Sequence, residues 1–310
     1  MPTTTPQSSA IICAAIDIGS NSFRLLIGTY NHHINILCKK LFTVRLAEGF
    51  NESSSITPKA LDRANIALRS MATLLREYNV QKVRICGTEA LRRAHNSNIL
   101  LSECQEILGF PLEIIDGQQE ALLSHAGVLS ELSIPEDSTL IVDVGGGSTE
   151  CILSDISQHS PISISLGAMS LTDSFFRDDS QNYRNMERSQ ALVHRFFSPY
   201  LIKIKSSVST LVACGGTATA IASLHHGLEQ YDENIVQGTT LACKKLQDIF
   251  NSLLQLKAID RCQLPGLDQG RGEILLGGSL IFLVLLNFLQ TEEMIISDRG
   301  LLEGIFLSQF

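Results

Sequence analysis

The segment LIVDVGGGSTECIL, residues 140–153, sets three glycines between an aspartate and a Ser-Thr-Glu, with apolar, strand-like residues on both sides. A bare hairpin needs only one or two glycines. Three in a row let several backbone N–H groups converge on an anion that approaches without meeting a Cβ. The turn also occurs earlier. IDIGSNSFRLLIG (16–28) lies against VDVGGGSTECILS (142–154) with Asp17 matching Asp143, Gly19 matching Gly145 and Ser22 matching Ser148, and in that register Arg24 falls opposite Glu150. An Asp-x-Gly-x-x-Ser turn used twice predicts one fold repeated, with both turns on a shared cleft.

Outward from these turns, strands alternate with helices, which indicates an α/β protein. ITPKALDRANIALRSMATLLREY reads as an amphipathic helix that Thr57 caps and Pro58 opens, with Leu61, Ala64, Leu68, Met71, Leu75 and Tyr78 on one face. VRICGTEALRRA runs from strand into helix, PLEIID is a short strand, and GQQEALLSHAGVLSEL is a further helix. After the second turn, TLVACGGTATAIASL goes from strand into helix, and EEMIISDRGLLEGIFLSQF is a strand, a turn and a closing helix. Residues 1–10 read as a loose polar tail, 11–126 as a first domain completed by 300–310, and 127–299 as a second. The apolar run at 274–289 is shorter than the ~20 residues of a membrane-spanning helix and is broken by Gly277, Gly278, Ser279 and Asn287, so a buried core helix is expected.

The glycines and the hydroxyls of Ser20, Ser22, Ser148 and Thr149 suit a phosphate, but Asp17 and Asp143 at the strand ends would repel one. A hard cation between them removes the conflict, since Mg²⁺ takes one or two carboxylates together with waters and phosphate oxygens. No G-x-x-x-x-G-K-[ST] occurs, and GGGST is not a dinucleotide fingerprint. The net charge of -8 argues against general nucleic-acid binding. Eight cysteines without a C-x-x-C pair, several inside apolar runs, fit small core residues in a reducing, cytoplasmic setting. His32, His33, His225 and His226 read as loop or helix-end residues.

In order along the chain, AAIDIGSNSFRLLI, VRLAEGF, GTEALRRAHN, IIDGQQEALLSHAGV, LIVDVGGGSTE, SLGAMSLTD, GGTATAIASL, PGLDQGRGEILLGG and SDRGLLEGIF resemble the motifs of the exopolyphosphatase / guanosine pentaphosphate phosphohydrolase (Ppx/GppA) family, within the actin-like ATPase superfamily. The resemblance implies two ribonuclease-H-like domains with an interdomain cleft. It also implies a hydrolase that removes the terminal phosphate of inorganic polyphosphate or the 5′ γ-phosphate of pppGpp.

By resemblance, Glu120 is the catalytic glutamate, Asp143 and Glu150 hold metal and water, and Asp17 is a further metal ligand. Arg93 and Arg271 are the expected phosphate-contacting arginines. Phosphate binding is expected from Gly19, Ser20, Asn21, Ser22, Gly145, Gly146, Gly147, Ser148, Thr149, Gly215, Gly216 and Thr217. The expected cofactor is Mg²⁺, with Mn²⁺ as the alternative, and the partner is polyphosphate or a guanosine penta/tetraphosphate. Neither nucleic acid nor a membrane is expected, and a homodimer is the expected assembly. Gln119 stands where the family has a glutamate, Glu273 where aspartate is commoner, and the chain stops at Phe310, before the HD-like domains of longer members. An alarmone phosphatase, a non-hydrolysing nucleotide sensor and an ATP-dependent kinase or ATPase are the alternatives to an exopolyphosphatase.

Overall fold

The computed structural model describes residues 11–50, 53–135, 138–156, 159–268 and 270–310; the tail expected at 1–10 lies outside them. The chain begins with strands β1 (Cys13–Ile18), β2 (Ser22–Asn31) and β3 (His33–Thr43), then α1 (Pro58–Glu77), β4 (Lys82–Gly87), α2 (Glu89–Arg93), α3 (Ser97–Leu108) and β5 (Leu112–Ile114). Helix α4 (Gly117–Leu129) leads to β6 (Thr139–Val144), β7 (Thr149–Leu153), β8 (Ile162–Ile164), α5 (Ala168–Phe175) and α6 (Asn182–Ile204). Next come β9 (Thr210–Cys214), α7 (Gly215–His226), α8 (Glu233–Val236), β10 (Thr240–Ala242), α9 (Cys243–Gln255) and α10 (Ala258–Arg261). The chain closes with α11 (Arg271–Leu289), β11 (Glu293–Ile296) and α12 (Leu301–Leu307).

Two sheets result, ordered β3-β2-β1-β4-β5 and β10-β11-β9-β6-β7-β8. In the first, β1 is antiparallel to β2 and parallel to β4; in the second, β6 is antiparallel to β7 and parallel to β9. Apart from the added edge strand β10, the second sheet repeats the first strand for strand. One unit is used twice, as the duplicated turn predicts, and the unit is the ribonuclease-H-like one of the actin-like ATPase architecture that the family resemblance implies. The two hairpins share one strand register, as equivalent positions of the aligned turns require: Asp17 pairs across the strands with Arg24, and Asp143 with Glu150.

Local chemistry explains why these elements form. Thr57 accepts a hydrogen bond from Ala60 N (3.2 Å) at the head of α1, and Pro58 occupies the first turn. Ala64, Leu68, Met71 and Leu75 of the predicted face are buried, while Leu61 is only half-buried. Helix α11 is long and apolar enough to cross a membrane. Nearly its whole length is nevertheless buried against α5, α6, α7 and α9, so it is the core of the second half.

One boundary differs from the expectation. Helix α4, which the sequence reading cut at 126, packs on the second sheet from both sides of that cut, where Ala121 and Val128 cluster with Ile141, Ile152 and Val212. Helix α12 instead covers the first sheet, with Leu301, Leu302, Ile305 and Phe306 against Cys13, Ala15 and Leu26. The chain therefore passes to the second half before α4, and the changeover is set by which sheet that helix covers. The two helices cross at backbone contact. A Cβ on Gly127 would stand 1.9 Å from Gly300 O, and one on Gly304 would stand 1.8 Å from Leu123 O. Because the obstacles are backbone, no rotamer change relieves them. Gly304→Ala should therefore lower the stability of the chain by about 2 kcal/mol or more. Urea unfolding of the variant checks this, and an unchanged midpoint would contradict the crossing.

Candidate active site

Both turns close in the same way. Gly19 N donates to Ser22 O (3.1 Å), and Gly145 N donates to Ser148 O (3.0 Å). The outer side of each turn is braced. Ser20 O accepts from Ala47 N, Gly145 O from Ala168 N, and Gly146 O from Met169 N at the start of α5. In a trans peptide the following N–H points opposite to the carbonyl. The N–H groups of Asn21, Gly146 and Gly147 are thereby turned away from the braces, and all three residues line the pocket between the turns. The turns face each other closely, since a Cβ on Gly147 would lie 2.7 Å from the Ser20 hydroxyl.

Between the turns lies a cavity of about 60 Å³ lined by Asp17, Glu120, Asp143 and Glu150. All four carboxylates are buried. Asp17 Oδ2 accepts from Arg24 Nε (2.8 Å), whereas its Oδ1 is buried with no hydrogen-bond partner. Asp143 Oδ2 accepts from the Ser124 hydroxyl (2.9 Å), and Glu150 Oε1 from the Ser163 hydroxyl (2.7 Å). The opposite wall is formed by Gly215 and Gly216. Gly215 has φ +83°, and a Cβ there would fall 2.3 Å from Asp143 Oδ1, so both conformation and space require glycine. A Cβ on Gly216 would strike the guanidinium of Arg271. Arg271 is buried and, among the described residues, its guanidinium makes no hydrogen bond or ion pair. A desolvated, unpaired guanidinium beside a glycine wall is a receptor for an anion.

The carboxylates strain one another electrostatically. Burial pushes Glu120 up to about 8, with Asp17 and Asp143 adding to the effect and Arg92 opposing it. Burial also holds Glu150 well above the carboxylate range, reinforced by Glu120 and Asp143. Asp17 is raised by burial against the pull of Arg24. A cation in the cavity would relieve this accumulation. Among the described residues no group of three or more His, Cys, Asp or Glu side chains could hold a metal, which does not suit a zinc cage. One or two carboxylate oxygens, including the orphaned Asp17 Oδ1, suit a hard ion that keeps its waters and shares phosphate oxygens.

Most residues expected at the site line this one cavity: Gly19, Ser20, Asn21, Ser22, Gly145, Gly146, Gly147, Ser148, Gly215, Gly216 and Arg271 stand with the four carboxylates. Three do not. The Thr149 hydroxyl donates to Leu166 O (2.7 Å) on the other face of β7, because side chains alternate along a strand and Glu150 takes the cleft side. Thr217 is buried, with Gly278 of α11 packed close against its side chain. Arg93 is exposed, 5.8 Å from the Phe50 ring centroid. Gln119 is exposed as well, so the departure from the family glutamate lies off the cavity wall.

The arginine that sequence reasoning missed is Arg92. Its Nη1 donates to Glu120 Oε2 (2.6 Å) and to Ile115 O (3.0 Å), while Nε and Nη2 donate to Glu89 Oε2. Glu89, three residues earlier on α2, is the signal that could have singled it out. The Asp116 carboxylate caps α4 through Gln119 N (2.8 Å), which sets Glu120 in the first turn facing Arg92.

A duplicated ribonuclease-H-like fold whose two turns meet over buried carboxylates and an unpaired arginine defines a protein built to handle phosphoryl groups. Residues 27–310 match the Ppx/GppA phosphatase family, and the chain belongs to it. It is 27% identical to exopolyphosphatase 2 of Mycobacterium tuberculosis across 95% of this chain and 97% of that protein. The Ppx/GppA member from Aquifex aeolicus superposes with a TM-score of 0.79 at 28% identity, covering 97% of this chain and 98% of that one. An exopolyphosphatase structure from Cytophaga hutchinsonii shares the fold with a TM-score of 0.84 at 24% identity, covering 96% and 97% of the two chains.

Removing the Arg92 charge takes away the main influence holding Glu120 down. Arg92→Ala should move the acid limb of the pH–rate profile upward by about one unit or more, costing about tenfold in kcat/KM per unit at neutral pH. Arg92→Lys should recover part of the shift. An unmoved limb would show that Arg92 has no hold on the titrating group.

Proposed function

We propose that this phosphoanhydride hydrolase is an Mg²⁺-dependent exopolyphosphatase that releases the terminal phosphate of inorganic polyphosphate. The observation that carries the reading is the convergence of both turns, four buried carboxylates and unpaired Arg271 on a single cavity. The N–H groups of Asn21, Gly146 and Gly147, the hydroxyls of Ser20, Ser22 and Ser148, and the guanidinium of Arg271 receive the terminal phosphoryl group. Arg24, already paired with Asp17, adds a second positive charge at the same wall.

Glu120 orients a water against the terminal phosphorus and takes its proton as the new P–O bond forms and the anhydride P–O bond breaks. Its raised affinity for protons, tempered by Arg92, places it near the operating range that a general base needs. Glu150, anchored by Ser163, supports the water from the second sheet. Asp17 and Asp143 would hold the cation, Mg²⁺ or alternatively Mn²⁺. That ion supplies charge neutralisation at the anhydride and stabilises the leaving oxyanion. Phosphoryl transfer of this kind needs position and charge more than covalent chemistry, consistent with a cavity in which no serine or cysteine is paired with a histidine.

A second reading, pppGpp as substrate, is favoured by one feature. Next to Arg271 a chamber of about 560 Å³ offers Gln230, Tyr231 and Asp268 as hydrogen-bonding groups, a size and chemistry suited to a nucleoside.

Phosphate release from polyphosphate, pppGpp and ATP, with and without Mg²⁺, tests both readings. Glu120→Gln should reduce kcat at least about 10²-fold on the preferred substrate while KM changes little. If wild type and variant release phosphate equally slowly from every substrate, the protein is a sensor and the hydrolytic reading fails.

A further inference from the structure

We propose that the cleft limits its substrate by charge, so that it hydrolyses short phosphoanhydrides in preference to long polyphosphate. This rests on the hydrolytic reading above and concerns where the rest of the substrate goes once its end sits between the turns. Two chambers flank the reaction cavity. The larger, about 560 Å³, shares Arg24, Gly215, Gly216 and Arg271 with it and is its direct continuation. The other, about 460 Å³, shares only Asn21.

The larger chamber changes character with distance from the reacting end. Arg24 and Arg271 stand at its mouth, where the phosphates next to the scissile bond would lie. Strand β3 adds Lys39 and Lys40. Lys39 is already neutralised: its Nζ lies 2.7 Å from Asp298 Oδ2, 3.1 Å from Glu303 Oε1 and 3.9 Å from Glu233 Oε2. Beside Glu233, Asp232 and Asp268 bring further negative charge to the wall, and Asp268 is exposed. Among the described lining residues, four cations face five carboxylates. The smaller chamber offers no basic excess, since Arg45 is paired with Glu273 and Arg177 with Asp173, and Glu48 also lines it.

A chain that gains a negative charge with every added unit therefore meets two or three favourable contacts and then repulsion. A groove for long polyanions is lined by a basic excess. This one is compensated beyond its mouth, and its volume is that of a small-molecule pocket. The shared chemistry selected is a terminal anhydride with a short tail, inorganic or nucleoside-linked. Asp232, Glu233 and Asp268 are the specificity-determining residues.

The test is kcat/KM per chain end for tripolyphosphate, a medium-chain and a long-chain polyphosphate, with pppGpp as the nucleoside arm, at low and high ionic strength. The value should fall about tenfold or more from tripolyphosphate to the long chain, equivalent to ~1.4 kcal/mol, and the gap should narrow as salt screens the wall. A pppGpp value above that for tripolyphosphate would assign the short tail to a nucleoside, and a value below it to inorganic oligophosphate.

The variant Asp232→Asn/Glu233→Gln/Asp268→Asn should raise the long-chain to tripolyphosphate ratio several-fold. Asp268→Asn alone, on an exposed side chain, should do so in part and guards against misfolding of the triple variant. Equal values at all lengths in wild type, or a ratio that neither variant moves, would overturn the charge limit while leaving the hydrolase intact. Absence of release from every polyphosphate and from pppGpp would remove the hydrolase and the limit together.

Discussion

Four carboxylates sharing one buried cavity cost free energy unless something positive accompanies them, and the rest of the structure is arranged around that cost. Each carboxylate has a supporting partner: Arg24 for Asp17, Arg92 for Glu120, Ser124 for Asp143 and Ser163 for Glu150. These contacts orient the groups without cancelling their charge, and Glu120 and Glu150 still hold protons more tightly than carboxyls in water. A site that stabilised the carboxylates fully would have no remaining affinity for a cation. One that supported none of them would not hold its geometry.

Duplication explains how a chain assembles such a site. One ribonuclease-H-like unit supplies Asp17 and a braced turn, and the second supplies Asp143 and its counterpart. Neither half alone encloses the cavity. At Gly127, Gly300 and Gly304, α4 on the second sheet and α12 on the first approach each other at backbone distance, which joins the two halves. Glu120 sits at the head of one of these crossing helices and Glu303 near the head of the other. Positioning Glu120 and joining the halves are therefore tasks of the same few turns of helix.

Much of this was legible in the sequence where local chemistry and tertiary demand coincide. The duplicated turn and α1 were readable because glycine, aspartate and a Thr-Pro cap each have one dominant structural use. Strand β3 was not read. It is an edge strand with half-exposed faces, so its apolar residues do not announce a core, and it carries Lys39 and Lys40 to the chamber wall. Arg92 and Arg93 are indistinguishable by composition, since which of them meets Glu120, 28 positions away, depends on how α2 docks against α4. Thr149 could have been set aside from strand alternation alone, whereas the inward packing of Thr217 depends on the position of α11.

The central claim is that the buried carboxylates form a cation-dependent phosphate site. It is tested most directly by titrating Mg²⁺ into the protein near neutral pH, with a non-hydrolysable phosphoanhydride present, in buffers of different ionisation enthalpy. The account predicts saturable binding with release of about one proton per ion, because a cation displaces protons from carboxyls that burial has kept protonated. Binding without proton release, or no binding that depends on Asp17 and Asp143, would contradict it.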